Sequence, residues 1–78
     1  MNMDEILIAF GKTIKKERKL QKITQEELAY RARLDRTFIS YVENARKLPS
    51  LISVFQFAQG LNMPPSELLK RVEKELQR

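Results

Sequence analysis

Apolar residues recur at helical spacing along most of the 78-residue chain, and no stretch alternates in the manner of a strand. Ile6, Phe10 and Ile14 follow one another at intervals of four and, with Leu20, predict the buried side of a first helix over about residues 4–21. Lysines fill many of the positions between them. The first helix is therefore expected to be amphipathic, with a basic outer surface.

Two short helices are predicted next. Thr24 and Glu27 have the spacing of a capping box, in which the Thr24 hydroxyl accepts from the Glu27 N–H and the Glu27 carboxylate accepts from the Thr24 N–H. After a break in periodicity of about three residues, Asp35 is placed to cap a third helix over about 36–44. This spacing predicts a helix-turn-helix over about 25–44.

The last part of the chain predicts two more helices. Ser50 is suited to cap a fourth helix to about Leu61, and Pro65 fits the first turn of a fifth over about 65–76. The fourth is expected to bury Leu51, Val54, Phe55, Ala58 and Leu61, and the apolar line of the fifth is Leu68, Leu69, Val72 and Leu76. Residues 1–78 are thus predicted to form one all-α domain, a compact five-helix bundle.

Composition narrows the function classes. The chain has no Cys and no His, which excludes disulfides, thiol chemistry and the usual zinc sites and removes the commonest general base. No metal, cofactor or enzymatic activity is expected, because no nucleophile–base set or phosphate loop is present. There is no secretory signal and no apolar run long enough to span a bilayer, so the cytoplasm is the expected compartment.

The net charge is basic. Fifteen Lys and Arg against ten Asp and Glu give +5 and an isoelectric point near 9.8. Such a balance favours nucleic acid or an anionic membrane surface as a partner, although a solubilising surface charge explains it equally well. A membrane-bound first helix is disfavoured, because its few apolar residues are needed for the core.

The outer side of the third helix distinguishes between these partners. Ile39 and Val42 share one side of it, whereas a guanidinium, two hydroxyls, a phenol and an amide share the other: Arg36, Thr37, Ser40, Tyr41 and Asn44. An ordinary surface helix would carry mainly Glu and Lys there. These groups instead suit the donors and acceptors on base edges in the DNA major groove.

The stretch TQEELAYRARLDRTFISYVENARKLPSL resembles the helix-turn-helix of the Cro and phage-repressor type, the XRE family, and the similarity covers about residues 10–69. The segment LAYRARLDRTFIS and the size of the chain also resemble controller proteins of restriction–modification systems. This resemblance implies a transcriptional regulator that binds double-stranded operator DNA with an inverted repeat as a homodimer. A phage-type repressor, or an antitoxin-like module whose main partner is a protein, is the alternative.

The resemblance also implies the site. The third helix would lie in the major groove, with Gln25 on a phosphate and the loop after the helix along the backbone, while Phe38 is as well placed for packing as for DNA. The expected DNA-binding residues are Gln25, Arg36, Thr37, Phe38, Ser40, Tyr41, Asn44, Arg46 and Lys47. Arg18 and Glu43 would form a structural ion pair, and a dimer interface is expected at Ile52, Leu69, Val72 and Leu76.

Three turns depart from the family pattern. Lys22, Arg33 and Ala45 stand where such proteins often have Gly, and a non-Gly residue at positive φ costs about 1 kcal/mol. Either these turns differ in detail or the chain tolerates the strain. Asn44 is a possible alternative to Ala45 for the left-handed position.

Overall fold

The structure is a computed structural model that describes residues 2–78. Within them lie five α-helices and no strand, as the sequence predicted. The helices are α1 (Met3–Leu20), α2 (Gln25–Ala32), α3 (Arg36–Glu43), α4 (Leu51–Gly60) and α5 (Pro65–Leu76). Helix α1 packs on both α3 and α5, and α2 packs on α3 and α4. This arrangement leaves one side of α3 open to solvent.

Side-chain caps fix where the helices begin. The Thr24 hydroxyl accepts the Glu27 N–H at 3.0 Å, and Asp35 accepts the N–H groups of the second and third residues of α3 at 2.9 and 3.4 Å. The predicted return bond of the capping box is wrong, because the Glu27 carboxylate instead accepts from Arg31 Nε at 2.9 Å. An opposite charge one turn away outcompetes the backbone N–H of Thr24 for that carboxylate.

The first four helices end in left-handed residues that are not glycine. Lys22, Arg33, Ala45 and Asn62 have φ of 60°, 56°, 59° and 57°. Asn44 does not take the left-handed position, since its φ is −96°. After α3 the Ala45 N–H bonds to the Val42 carbonyl and the Arg46 N–H to the Tyr41 carbonyl, which is a Schellman motif. The chain therefore tolerates the strain and keeps the usual turn geometry.

This strain predicts that Ala45→Gly stabilises the fold by about 0.5–1 kcal/mol, since glycine adopts positive φ without a steric cost and loses part of that gain in unfolded-state entropy. The melting temperature should rise by a few degrees in thermal unfolding followed by circular dichroism. Lys16→Gly, in the exposed middle of α1, is the matched control and should destabilise by about 1 kcal/mol. A melting temperature that fell for both variants would contradict the strain at Ala45.

An aromatic cluster lies at the centre of the bundle. Phe57 is fully buried, with its ring centroid 5.6 Å from that of Phe10 in edge contact and 6.1 Å from that of Phe38 in a stacked arrangement. The prediction that α4 buries Leu51 and Phe55 is wrong, because both are exposed. Helix α4 carries apolar residues on nearly all of its sides, and the side with Phe57 is the one that packs into the core.

Helix α1 buries a narrower stripe than expected. Phe10 and Ile14 are in the core as predicted, whereas Ile6 and Leu20 are exposed because they lie towards the helix ends, beyond the helices that cover its middle. At Gly11 the helix closely approaches the carbonyl oxygens at the end of α3, and an added Cβ would lie 3.0 Å from the Glu43 oxygen. Glycine is required there by this close approach.

Helix α5 turns its apolar line mostly inward. Leu68 and Val72 are buried in the core, and Leu76 packs partly against it. Val72 therefore cannot belong to an outer dimer surface, because α1 covers this side of α5, whereas the place of the half-buried Leu76 in such a surface stays a prediction. Leu69 and Ile52, the other two predicted residues, are 44% and 74% exposed.

Candidate nucleic-acid interface

Helix α3 is held from one side only. Its own residues Ile39 and Val42 are fully buried on the inner side. The close approach at Gly11 places the last turn of α3 directly on α1. On the opposite side Arg36, Thr37, Tyr41 and Asn44 are exposed and Ser40 is half-buried. The sequence thus forms a helix with a rigidly packed inner side and a polar outer side, as its 3.6-residue periodicity predicts.

The polar groups on the outer side have distinct settings. Arg36 belongs to none of the ion pairs formed within residues 2–78. The Lys47 Nζ lies 5.7 Å from the centroid of the Tyr41 ring, so the loop after α3 and the helix share one basic and aromatic surface. Asn44 donates from Nδ2 to the Ser40 carbonyl at 2.9 Å. A planar cation, hydroxyls, a phenol and an amide are therefore presented together.

Phe38 is a packing residue. Its ring is half-buried against the core and stacks on Phe57, so the structure places it with the inner side of α3. Of the two settings that the sequence left open, packing is the one observed. The inclusion of Phe38 among the DNA-binding residues stays a prediction, and the contact with Phe57 shows that the ring already contributes to the core.

A single buried carboxylate joins three helices. Glu43, at the end of α3, has a side chain only 1% exposed and accepts from Arg18 Nε at 2.7 Å and Arg18 Nη2 at 3.1 Å. Arg18 Nη1 also donates to the Ile23 carbonyl at 2.9 Å. The ion pair implied by the resemblance is thus present, in the bidentate form that gives arginine–carboxylate pairs their strength.

Gln25 completes this cluster. Its Nε2 donates to Glu43 Oε1 at 3.0 Å, which fixes the amide at the first residue of α2. An amide nitrogen carries two hydrogens, so the second remains for another acceptor. The N–H groups of the first turn of α2 and the positive end of its dipole lie at the same place, which makes this terminus suited to a phosphate.

Three contacts between helices were not predicted from the sequence. They are the Gln25–Glu43 bond, the close approach at Gly11, and an ion pair between Glu17 and Arg71 at 2.5 Å that joins α1 to α5. The residues are separated by 18, about 31 and 54 positions along the chain, and no local periodicity relates them. The one available signal is that Glu17, a carboxylate, lies on the inward-facing side of α1 and so needs a partner.

Other kinds of site are not seen in the part of the chain that the structure describes. No group of three His, Cys, Asp or Glu residues there is arranged to hold a metal ion. Among the same residues, no helix has both the length and the apolar character needed to cross a membrane.

Comparison with known proteins agrees with this geometry. A family model described as "Helix-turn-helix" matches residues 14–68. The control protein C.MunI of a Mycoplasma species is 39% identical over 74 residues, which are 94% of this chain and all of that protein.

Two solved controller structures share the fold. The restriction–modification controller C.Esp1396I, a tetramer in complex with its natural 35-base-pair operator, aligns over all of both chains with a TM-score of 0.89 and 29% identity. C.AhdI from Aeromonas hydrophila aligns over 80% of this chain and 94% of its own with a TM-score of 0.76 and 32% identity. The chain therefore belongs to the helix-turn-helix family, in its XRE-type branch.

Proposed function

We propose that this protein is a restriction–modification controller, a transcriptional regulator that binds a specific operator in double-stranded DNA as a homodimer. The observation that carries the proposal is the polar outer side of α3, which is open to solvent on a helix that the buried Glu43 carboxylate ties to its neighbours. The likeness to C.MunI supports the controller role. Such a regulator acts where the DNA is, so we place it in the cytoplasm.

Helix α3 recognises the base sequence. The major groove admits an α-helix, and recognition helices reach furthest into it with their N-terminal residues. Arg36 and Thr37 occupy that end, and the Arg36 guanidinium suits the two acceptors of a guanine. Ser40 and Tyr41 follow one turn later and lie over the next base pairs.

Backbone contacts set the position of α3 without reading sequence. One phosphate binds at the first turn of α2, to the backbone N–H groups there and to the second hydrogen of the Gln25 side-chain amide. Further phosphates of the strand bind beyond the end of α3, to Asn44, Arg46 and Lys47. Arg46 and Lys47 are exposed and contribute charge, so their contacts make the affinity depend on salt.

The dimer surface lies on α4 and the adjacent side of α5. Leu51, Ile52 and Phe55 form an exposed apolar side of α4, and α5, which packs on α4, adds Leu69. An apolar surface of this kind on so small a domain marks a protein interface. Two copies joined by a two-fold axis would place their α3 helices in successive major grooves of an inverted repeat, about 34 Å apart.

The proposal predicts that Arg36→Ala weakens operator binding by about 1–3 kcal/mol and relaxes the preference at one base pair in each half-site, since a bidentate contact is lost. Selection from random duplexes, followed by titration of single-base variants, measures both effects. Arg33→Ala, which removes an exposed arginine outside α3, is the control and should keep the base preference. An Arg36→Ala protein with the affinity and preference of the parent would refute this contact.

A further inference from the structure

Four lysines lie together on the outward side of α1. They fall within about 100° of helix arc and about 10 Å of helix length, and all four are exposed. The buried residues of α1, including Phe10 and Ile14, occupy the opposite side. We call this surface the lysine face; it consists of Lys12, Lys15, Lys16 and Lys19.

The charge of the lysine face is not neutralised. Every ion pair within residues 2–78 uses an arginine, and none uses a lysine. A groove of about 290 Å³ beside the face is lined by Lys16 from α1 and Lys74 from α5, which extends the positive surface across the two helices. The groove also holds two carboxylates, and both are paired with arginines, Glu17 with Arg71 and Glu75 with Arg78.

The lysine face is separate from the operator-binding side of α3. Helix α1 contacts α3 through its buried side, at Gly11, and Glu43 lies beneath α3 at that contact. The outward sides of the two helices therefore point away from the core in different directions. A duplex on α3 and a second duplex on the lysine face would therefore contact different helices.

The chemistry of the face suits a phosphate backbone. Lysine is a point charge without the planar fork that reads base edges, so it contributes affinity without sequence preference. A length of about 10 Å spans about three phosphates of one strand at 3.4 Å each along the helix axis. The exposed apolar side chains nearest to the face are Ile8, one turn before Lys12, and Leu20, next to Lys19, and two such separated side chains are too little apolar surface for insertion into a lipid headgroup layer.

From this placement we propose that the lysine face binds the backbone of a second duplex DNA segment while α3 holds the operator. The inference rests on the proposed operator function and adds a second, non-specific DNA surface to it. A dimer carries two such faces, so operator-bound protein would gather flanking or neighbouring DNA through charge complementarity.

A capture experiment tests this surface. Beads carrying a short operator duplex are loaded with protein, washed, and offered a labelled duplex of unrelated sequence. The parent should retain the labelled duplex, and added salt should release it steeply, with about a threefold loss per phosphate contact between 50 and 200 mM. The variant with Lys12→Gln, Lys15→Gln, Lys16→Gln and Lys19→Gln should retain about tenfold less.

The controls separate the two proposals. Glutamine matches lysine in helix propensity, so the variant should keep its circular dichroism and load the operator beads nearly as well as the parent. Lys16→Gln should reduce capture, whereas Lys70→Gln, which removes the same charge from α5 outside the groove, should not.

Failure of the parent to load the beads overturns the proposed operator function. Normal loading with equal capture by parent and quadruple variant overturns the lysine face alone. If the quadruple variant captured DNA as the parent does but no longer bound vesicles containing phosphatidylserine that the parent binds, the lysine face would be assigned to a membrane surface instead.

Discussion

Glu43→Ala is expected to destabilise the fold by about 3–5 kcal/mol, the cost of breaking one side of a buried ion pair. The carboxylate receives three hydrogen bonds, two from Arg18 and one from Gln25, and it is almost fully excluded from solvent. Its removal leaves the Arg18 guanidinium, whose side chain is 11% exposed, without its charged partner. Urea unfolding followed by circular dichroism measures the loss.

Two control variants isolate the cause. Glu27→Ala breaks a pair with Arg31 in which both side chains are about 45% exposed, and it should cost no more than about 1 kcal/mol. The double variant Arg18→Met with Glu43→Leu removes both charges and should recover much of the stability of the parent, because buried pairs are often replaced by apolar residues without loss. A cost below about 1 kcal/mol for Glu43→Ala would mean that solvent reaches the cluster.

The same double variant separates folding from DNA binding. With both charges absent, Gln25 loses the acceptor that orients its amide, and the end of α3 loses its tie to α1. We expect a stable protein with weakened operator affinity. A double variant that binds DNA as the parent does would show that the cluster stabilises the fold without positioning the interface.

The helix boundaries followed from local chemistry. Thr24, Asp35 and Ser50 cap helices within the chain as the sequence predicted, because each cap depends on residues two or three positions away. The turn geometry at Ala45 was harder to predict from the sequence. In a sequence, glycine is the usual signal of a left-handed position, and Ala45 gives no such signal. The packing of α1 against α3 offsets the strain of the non-glycine residue here.

The buried side of α4 did not follow from its sequence. Leu51, Phe55 and Phe57 are all apolar, and periodicity does not distinguish a core side from an interface side when both are apolar. The outcome is decided by Phe10 and Phe38, which approach α4 from other helices. Long-range contacts of this kind leave no local signal in the chain.

The candidate site was predictable to the extent that it lies on one helix. The outward side of α3 could be read from its periodicity, and Arg36, Thr37 and Tyr41 are exposed there. Phe38 lies at the border between the two sides, so its position depended on whether Phe57 was available to receive it. The bond from Gln25 to Glu43 joins different helices and became visible only when the fold brought them together.

Phe55→Asp is expected to give a folded monomer with weak operator affinity. Phe55 is 55% exposed in the monomer, so its replacement leaves the core intact, in contrast to Val72→Asp, which would place a carboxylate in the core. In the dimer it would lie among Leu51, Ile52 and Leu69, where a charge loses its hydration. Loss of an aromatic anchor of this kind costs about 2–4 kcal/mol, roughly a 30- to 1000-fold weaker dimer.

Sedimentation over a range of concentrations measures the association, and operator titration measures its consequence. Leu20→Asp makes a comparable change at an exposed apolar residue on α1 and should sediment as the parent does, with operator binding retained. If Phe55→Asp sedimented as an unaltered dimer, the interface would lie elsewhere on the molecule. A parent protein that is monomeric at tens of micromolar would rule out a dimer on this surface, and each copy of α3 would then have to bind its half-site alone.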